Sequence, residues 1–312
     1  MKLSVVSTLF KSARHVDEFH RRITAQAAML TDHYETVFVD DGSPDDSLIA
    51  ALALMKTDPR VCVVEFSRNF GHHKAMMTGL EHATGDLIFL IDVDLEEPPE
   101  LLGEFHKIMT DCAWDVVFGF QSERKGGWFE REAGRLGWWL IDQLLPMKVP
   151  HNHSTVRLMT ADYVRALVQH KERNTAIGGL WVLTGFRQTG VPFTKGWKGQ
   201  SSYTTANRIH MMFESITSFS EAPLYGVFYL GATIMGLSLL VAFHLVIRRL
   251  SGELLEGWVS VMVSVWLLGG LAIFCIGMVG QYVARIFVET KNRPYTIVRK
   301  LHRNKTGNED KV

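Results

Sequence analysis

Residues 223–288 are nearly all apolar, and that stretch constrains the chain more than any other. From Leu224 to Ile247, His244 is the one side chain drawn from Asp, Glu, Lys, Arg and His. As a helix this run reaches roughly 36 Å at ~1.5 Å per residue, against a hydrocarbon core of ~30 Å. A short polar turn, Arg248 to Gly257, separates it from a second run, Trp258 to Val283, with Trp258 and Tyr282 where interfacial aromatics belong. Two spans place both chain ends on one side of the bilayer. Arg285, Lys291, Arg293, Arg299, Lys300, Arg303 and Lys305 follow the second run, whereas Arg248 and Arg249 lie between the runs. The excess of cations puts the tail, and with it residues 1–222, in the cytosol. The expectation is a multi-pass protein of the cell inner membrane with both termini cytosolic. Gly231, Gly236, Gly269, Gly270, Gly277 and Gly280 in the runs read as helix-packing positions.

The first 200 residues look globular. Lys plus Arg number 33 against 33 Asp plus Glu, so the chain has no overall polyanion-binding signature and no nucleic-acid partner is expected. Cys62, Cys112 and Cys275 are far apart and lack metal-ligand spacing, which fits a reducing compartment. The N-terminus reads as a first strand, with no signal-peptide apolar region followed by a cleavage site.

Short apolar strands alternate with helical patterns along this part: Leu3–Leu9, helix 16–30, Thr36–Val39, helix 48–55, Val61–Phe66, helix 75–83, Leu87–Ile91, a helix after Glu100, and Asp115–Phe118. This alternation predicts βαβ units and a mainly parallel sheet. Polar groups close successive strands: Asp40 and Asp41 after the second, Arg68 and Lys74 after the third, and Asp92, Asp94 and Glu96 after the fourth. In a parallel sheet such ends share one rim, where open α/β sheets bind ligands. Asp92, Asp94 and Glu96 form a hard oxygen set suited to Mg2+ or Mn2+ carrying a diphosphate. Asp40 and Asp41 are placed to read a ribose or base. Asp45 and Asp46 read as a turn and helix cap. His72-His73 and His151-Asn152-His153 have no further Cys or His at ligand spacing, so they read as polar loop residues rather than a zinc site.

Residues 128–145 place Trp128, Trp138 and Trp139 on an amphipathic pattern, which fits a helix lying on the bilayer or a core helix of the domain. Ile209, Met212, Phe213, Ile216 and Phe219 repeat the theme just before the membrane. The expected organisation is a cytosolic α/β domain over 1–205, a juxtamembrane amphipathic helix over 206–222, two transmembrane helices within 223–288, and a basic cytosolic tail over 289–312.

The stretches 39–47, Arg68-Asn69-Phe70-Gly71-His72, Gly79 with Gly85-Asp86, and Asp92 through Glu100 resemble the family 2 glycosyltransferases, in the branch acting on polyprenyl phosphates. The resemblance continues through Val156-Arg157-Leu158-Met159, Gly199 to Tyr203, the two apolar runs and Arg293-Pro294-Tyr295. It implies a GT-A, Rossmann-like catalytic domain, a nucleotide-sugar donor, a polyprenyl phosphate acceptor (undecaprenyl phosphate in bacteria), a divalent metal, and inversion at the anomeric carbon. It places Asp40, Asp41, Arg68, Lys74, Asp92, Ser202 and Tyr203 at the nucleotide sugar, and Asp92, Asp94 and Glu96 at the metal. Asp94, Arg124 and Arg157 become the catalytic set, the arginines facing the acceptor phosphate or the donor diphosphate. Homo-oligomers are common among such relatives. The chain departs from the pattern at Thr8-Leu9-Phe10-Lys11-Ser12, at Gln121 and at Ser202. A different lipid acceptor, or a non-catalytic membrane scaffold that keeps the fold, are the alternatives.

Overall fold

A computed structural model of the chain describes residues 1–121, 143, 150, 153–172, 177–194, 220–251 and 257–304. Arg124, Ser202, Tyr203, the tryptophan-rich segment 128–145 apart from Gln143, and the amphipathic segment before residue 220 lie outside the described residues. The chain divides into a sheet unit, Met1–Trp138, Met147–Asn207 and Pro294–Val312, and a helical unit, Trp139–Pro146 and Arg208–Arg293.

In the sheet unit, β1 (Leu3–Leu9), α1 (Ala13–Leu30), β2 (Tyr34–Asp40), α2 (Ser47–Thr57), β3 (Val61–Phe66), α3 (His72–His82), β4 (Leu87–Leu90), α4 (Leu101–Cys112) and β5 (Val116–Gln121) follow the expected alternation. Next come β6 (His153–Thr160), α5 (Ala161–Leu167), α6 (Ile177–Leu183), β7 (Gln188–Phe193) and, after the helical unit, β8 (Val298–Arg303). Among the described residues the strands form one mixed sheet in the order β7-β5-β6-β4-β1-β2-β3-β8. β3, β2, β1 and β4 are parallel neighbours, β7 is parallel to β5, and β6 and β8 run antiparallel to their partners.

β1, β2 and β3 are buried on both faces, which is why they read as continuous apolar runs. Val5, Phe38, Val63 and Phe89 point to the face covered by α1 and α4, where Phe19 meets Phe38 edge-on at 6.0 Å and Phe105 meets Phe89 at 6.3 Å. Val6 and Val39 point to the opposite face, under α3. A Cβ at Gly79 would lie 2.6 Å from Val6 Cγ1 and 2.8 Å from Val39 Cγ2, so the glycine lets α3 settle directly onto β1 and β2. The chain moves outward from β1 to β2 to β3, then returns to place β4 on the far side of β1. A right-handed crossover in the reversed direction carries α3 to the opposite face.

The basic segment read as a tail is in part a strand. β8 pairs antiparallel with β3, from Cys62 opposite Arg303 to Phe66 opposite Val298. Its Arg299 and His302 reach Glu65, at 3.3 and 2.9 Å. Sparse apolar residues and dense cations hid it, because an edge strand needs little burial and uses charge to discourage further pairing.

The helical unit contains α7 (Ala222–Leu250) and α8 (Trp258–Thr290). Among the described residues one segment, Ser264–Thr290 of α8, is long and apolar enough to cross a membrane, and none of its residues is buried. The described apolar segment of α7, Ala222–Ser238, is shorter.

Candidate active site

The reversal of strand order leaves a crevice between the carboxyl ends of β1 and β4, the place where open α/β sheets take up ligands. Thr8 of β1, the loop opening α3, and the acidic segment after β4 meet there.

The segment after β4 carries Asp92, Asp94 and Glu96, each partly exposed, with Val93 buried between the first two. Asp94 accepts a hydrogen bond from the Glu96 amide at 3.1 Å. Leu95 between them is held at φ +61°, a conformation that costs a branched residue of order 1 kcal/mol or more. Glu97 turns inward, is 1% exposed, and accepts a hydrogen bond from Ser154 Oγ of β6.

The acids after β2 are different. Asp41 is buried, and its carboxylate accepts hydrogen bonds from the amides of Phe70 at 2.6 Å and Gly71 at 3.0 Å. It therefore organises the loop ahead of α3. Burial pushes its carboxyl up while the two amides oppose that rise. Asp40 is also buried and accepts from the Ser43 amide at 3.3 Å. Burial raises its carboxyl to about 6, and Glu65, directly opposite it in the β2–β3 register, adds to the rise. Gly42 sits at φ +61°, and a Cβ there would fall 2.5 Å from the Arg68 carbonyl carbon and 2.6 Å from the Asn69 nitrogen. Glycine is required twice over, by backbone conformation and by the close passage of the β3 loop. For Asp45, burial works against ionisation, yet hydrogen bonds from Ser43, Ser47 and the Ala13 amide hold the carboxyl down to about 2.

Arg68 is exposed, stacks 4.2 Å from the Phe70 ring and donates to the Asn69 carbonyl. Lys74, in the first turn of α3, lies 5.5 Å from the Tyr295 ring. Arg68 follows β3 and Lys74 opens α3, so both cations lie among the loops at the carboxyl ends of the strands. Arg157 does not: it is 1% exposed, donates to the carbonyls of Ser154 and Thr155, and lies 3.0 Å over the Trp181 ring. Burial lowers its guanidinium to about 9. This side chain supports the rim from inside the sheet and has no surface with which to face a phosphate. The local sequence carries no sign of that, because β6 and α6 meet only in the folded chain.

Among the described residues no three His, Cys, Asp or Glu side chains come close enough to hold a metal ion by themselves. The donor set nevertheless fits a hard divalent cation shared with a diphosphate, since Mg2+ is usually held by one or two carboxylates plus phosphate oxygens. Asp92 and Asp94 are the oxygen donors of that kind at the crevice.

His72 is a residue that reading the sequence missed. Its Nδ1 lies 3.0 Å from Thr8 Oγ1 and its Nε2 lies 3.4 Å from Asp92 Oδ1.

Known proteins resemble this chain in sequence and in fold. The pattern described as glycosyl transferase family 2 matches residues 4–168. A Mycobacterium tuberculosis protein whose name goes no further than glycosyltransferase is 50% identical over 97% of this chain and 89% of its own length. A prophage-derived bactoprenol glucosyl transferase of Shigella flexneri is 32% identical over 97% of this chain and 99% of its own. The solved structure of a mannosyltransferase from Pyrobaculum calidifontis, in complex with GDP-Man and Mn2+, superposes with a TM-score of 0.50. It covers 92% of this chain and 84% of that one at 16% identity, a likeness of fold. The strand-end carboxylates, the parallel sheet beneath them and the match across residues 4–168 converge on one conclusion: the chain belongs to glycosyl transferase family 2.

Proposed function

We propose that the protein transfers a single sugar from a nucleotide-sugar donor to a polyprenyl phosphate such as undecaprenyl phosphate, with inversion at the anomeric carbon, on a GT-A fold at the cytosolic face of the inner membrane. One observation carries this reading. The chain joins partly exposed carboxylates after β4 to an unburied apolar helix, and it matches the bactoprenol glucosyl transferase of Shigella flexneri across both parts.

The residues suit the chemistry. A lipid phosphate is already ionised at neutral pH, so its oxygen attacks without a strong general base. The task is to bring two anions together, which rests on positioning and electrostatics. Asp94, with Asp92, would hold Mg2+ or Mn2+, whose charge would offset that of the departing diphosphate. Arg68 and Lys74 supply positive field beside the acidic rim. Asp41 and Gly42 fix the loop that carries Arg68 and starts α3. On the family resemblance, Arg124 would face the acceptor phosphate or the donor diphosphate, and Ser202 and Tyr203 the nucleotide sugar.

β8 supports a membrane hairpin. The chain leaves the sheet unit before the helical unit and returns to pair β8 with β3. A chain that leaves and re-enters one folded unit crosses a bilayer an even number of times. With α8 spanning, α7 spans as well, and residues 1–205 share the side of the basic C-terminal segment. The unburied apolar surface of α8 then lies in lipid rather than in water.

The test is direct. Detergent-purified full-length protein is incubated with Mn2+, undecaprenyl phosphate and a panel of nucleotide sugars, and products are read by mass spectrometry. A lipid phosphate carrying one sugar is expected. Absence of product with every donor, from folded protein that binds nucleotide through Asp94, would point to another lipid acceptor. Loss of both turnover and nucleotide binding would leave the scaffold reading.

A further inference from the structure

We propose that His72 is a positioning residue for Asp92, held in place by Thr8. The inference rests on the proposed function for what Asp92 does, and on geometry for how His72 acts. Three chain segments distant in sequence converge at the strand-order reversal: the end of β1, the first residue of α3, and the second residue after β4. Thr8 and Asp92 belong to the same face of the sheet, the one that α3 covers. This follows from the alternation of β1 and from the register pairing Val6 with Leu90. The tight seat of Gly79 on Val6 and Val39 brings the start of α3 within reach of both.

The buried Thr8 hydroxyl lies 3.0 Å from Nδ1, and Asp92 Oδ1 lies 3.4 Å from Nε2. With Thr8 donating to Nδ1, the imidazole carries its proton on Nε2, directed at Asp92. That tautomer presents a donor to one carboxylate oxygen of Asp92 and so fixes its orientation. The second distance is longer than a well-formed N–H···O bond. Such contacts tighten when the ligand arrives and the carboxylate gains a fixed orientation. Groups that orient a metal-binding carboxylate typically change metal affinity by ~10–100-fold when removed. The arrangement also gives Thr8, in the segment that departs from the family pattern, a role in this chain.

The test measures Mn2+ binding as well as turnover. Mn2+ is titrated into the full-length protein in detergent with UDP, and separately with GDP, and free Mn2+ is read by electron paramagnetic resonance. His72→Phe is expected to weaken Mn2+ binding about tenfold. His72→Gln, whose amide can still donate toward Asp92, recovers most of it. Thr8→Val weakens binding about threefold through loss of one neutral hydrogen bond. Melting temperatures measured without Mn2+ stay with the wild type; if His72→Phe fails to fold, His72→Gln and Thr8→Val decide. Unchanged Mn2+ binding in His72→Phe overturns the inference and leaves the proposed reaction standing. Equal weakening in His72→Gln and His72→Phe overturns the donor role. Mn2+ binding that depends on His72, in protein that forms no glycosyl lipid, upholds the inference while the proposed reaction fails. No Mn2+ binding by the wild type with either nucleotide overturns the inference together with the metal site.

Discussion

Two acidic strand ends look alike in the sequence and are set differently in the fold. Asp40 and Asp41 close β2; Asp92 and Asp94 close β4 on the other side of β1. The first pair is 3% and 2% exposed, with carboxylates engaged by the amides of Ser43, Phe70 and Gly71. The second pair stays partly open, on a turn strained at Leu95. The exposure left to an acid at a strand end thus depends on how closely the neighbouring loops close over it, and on the proposed reading the more open pair takes the metal. Backbone amides that are already present compete for the same lone pairs that a cation would use.

The comparison can be broken at either end. The largest effect is expected at Asp94. Asp94→Ala should reduce sugar transfer by about a hundredfold or more while the melting temperature holds. A folded, active Asp94→Ala protein would reverse the assignment of the two sites. On the other side, Gly42→Ala should destabilise the chain by about 3 kcal/mol, since it meets both a left-handed φ and the Arg68–Asn69 backbone; urea unfolding measures it. Asp41→Ala should cost about 2 kcal/mol by leaving two amides without their acceptor, with Asp41→Asn closer to wild type. Stability unaffected by Asp41→Ala would show that the brace is dispensable.

The smallest effect is a pH dependence. Burial raises the Asp40 carboxyl from 3.8 to about 6, so the folded chain holds that proton more tightly than the unfolded chain does. Its contribution to stability is full below the unfolded value of 3.8 and is lost as pH rises through about 6. Asp40→Asn, neutral throughout, should gain on the wild type by about 1–2 kcal/mol between those limits. Denaturant unfolding of both proteins at a series of pH values tests the sign. A difference that shrinks with rising pH would contradict the burial of Asp40.

The same contrast explains what could be read without the fold. Runs such as Val61–Phe66 and Leu87–Leu90, interleaved with helices, carry the α/β alternation openly, because burial on both faces leaves a continuous apolar signature. Residues 223–288 carry their apolar character in composition alone, and α7 and α8 are helices as that run suggests. The position of the Asp92–Glu96 group after a buried strand was legible for the same reason.

Other features depend on which segments become neighbours. The pairing of β8 with β3 joins residues 61–66 to 298–303 across the whole helical unit, and the local pattern of β8 is too charged to announce a strand. Arg157 reads as a cation ready for a phosphate until β6 sets it against Trp181. Asp41 is claimed by amides 29 and 30 residues further on. His72 meets Thr8 and Asp92 only because the order of strands reverses beside β1. Local sequence determined most of the secondary structure, β8 excepted, and the chemical inventory, since both follow from periodicity and residue type. Tertiary structure decided which of those groups remain available, because burial and hydrogen-bond competition are properties of neighbours brought together by the fold.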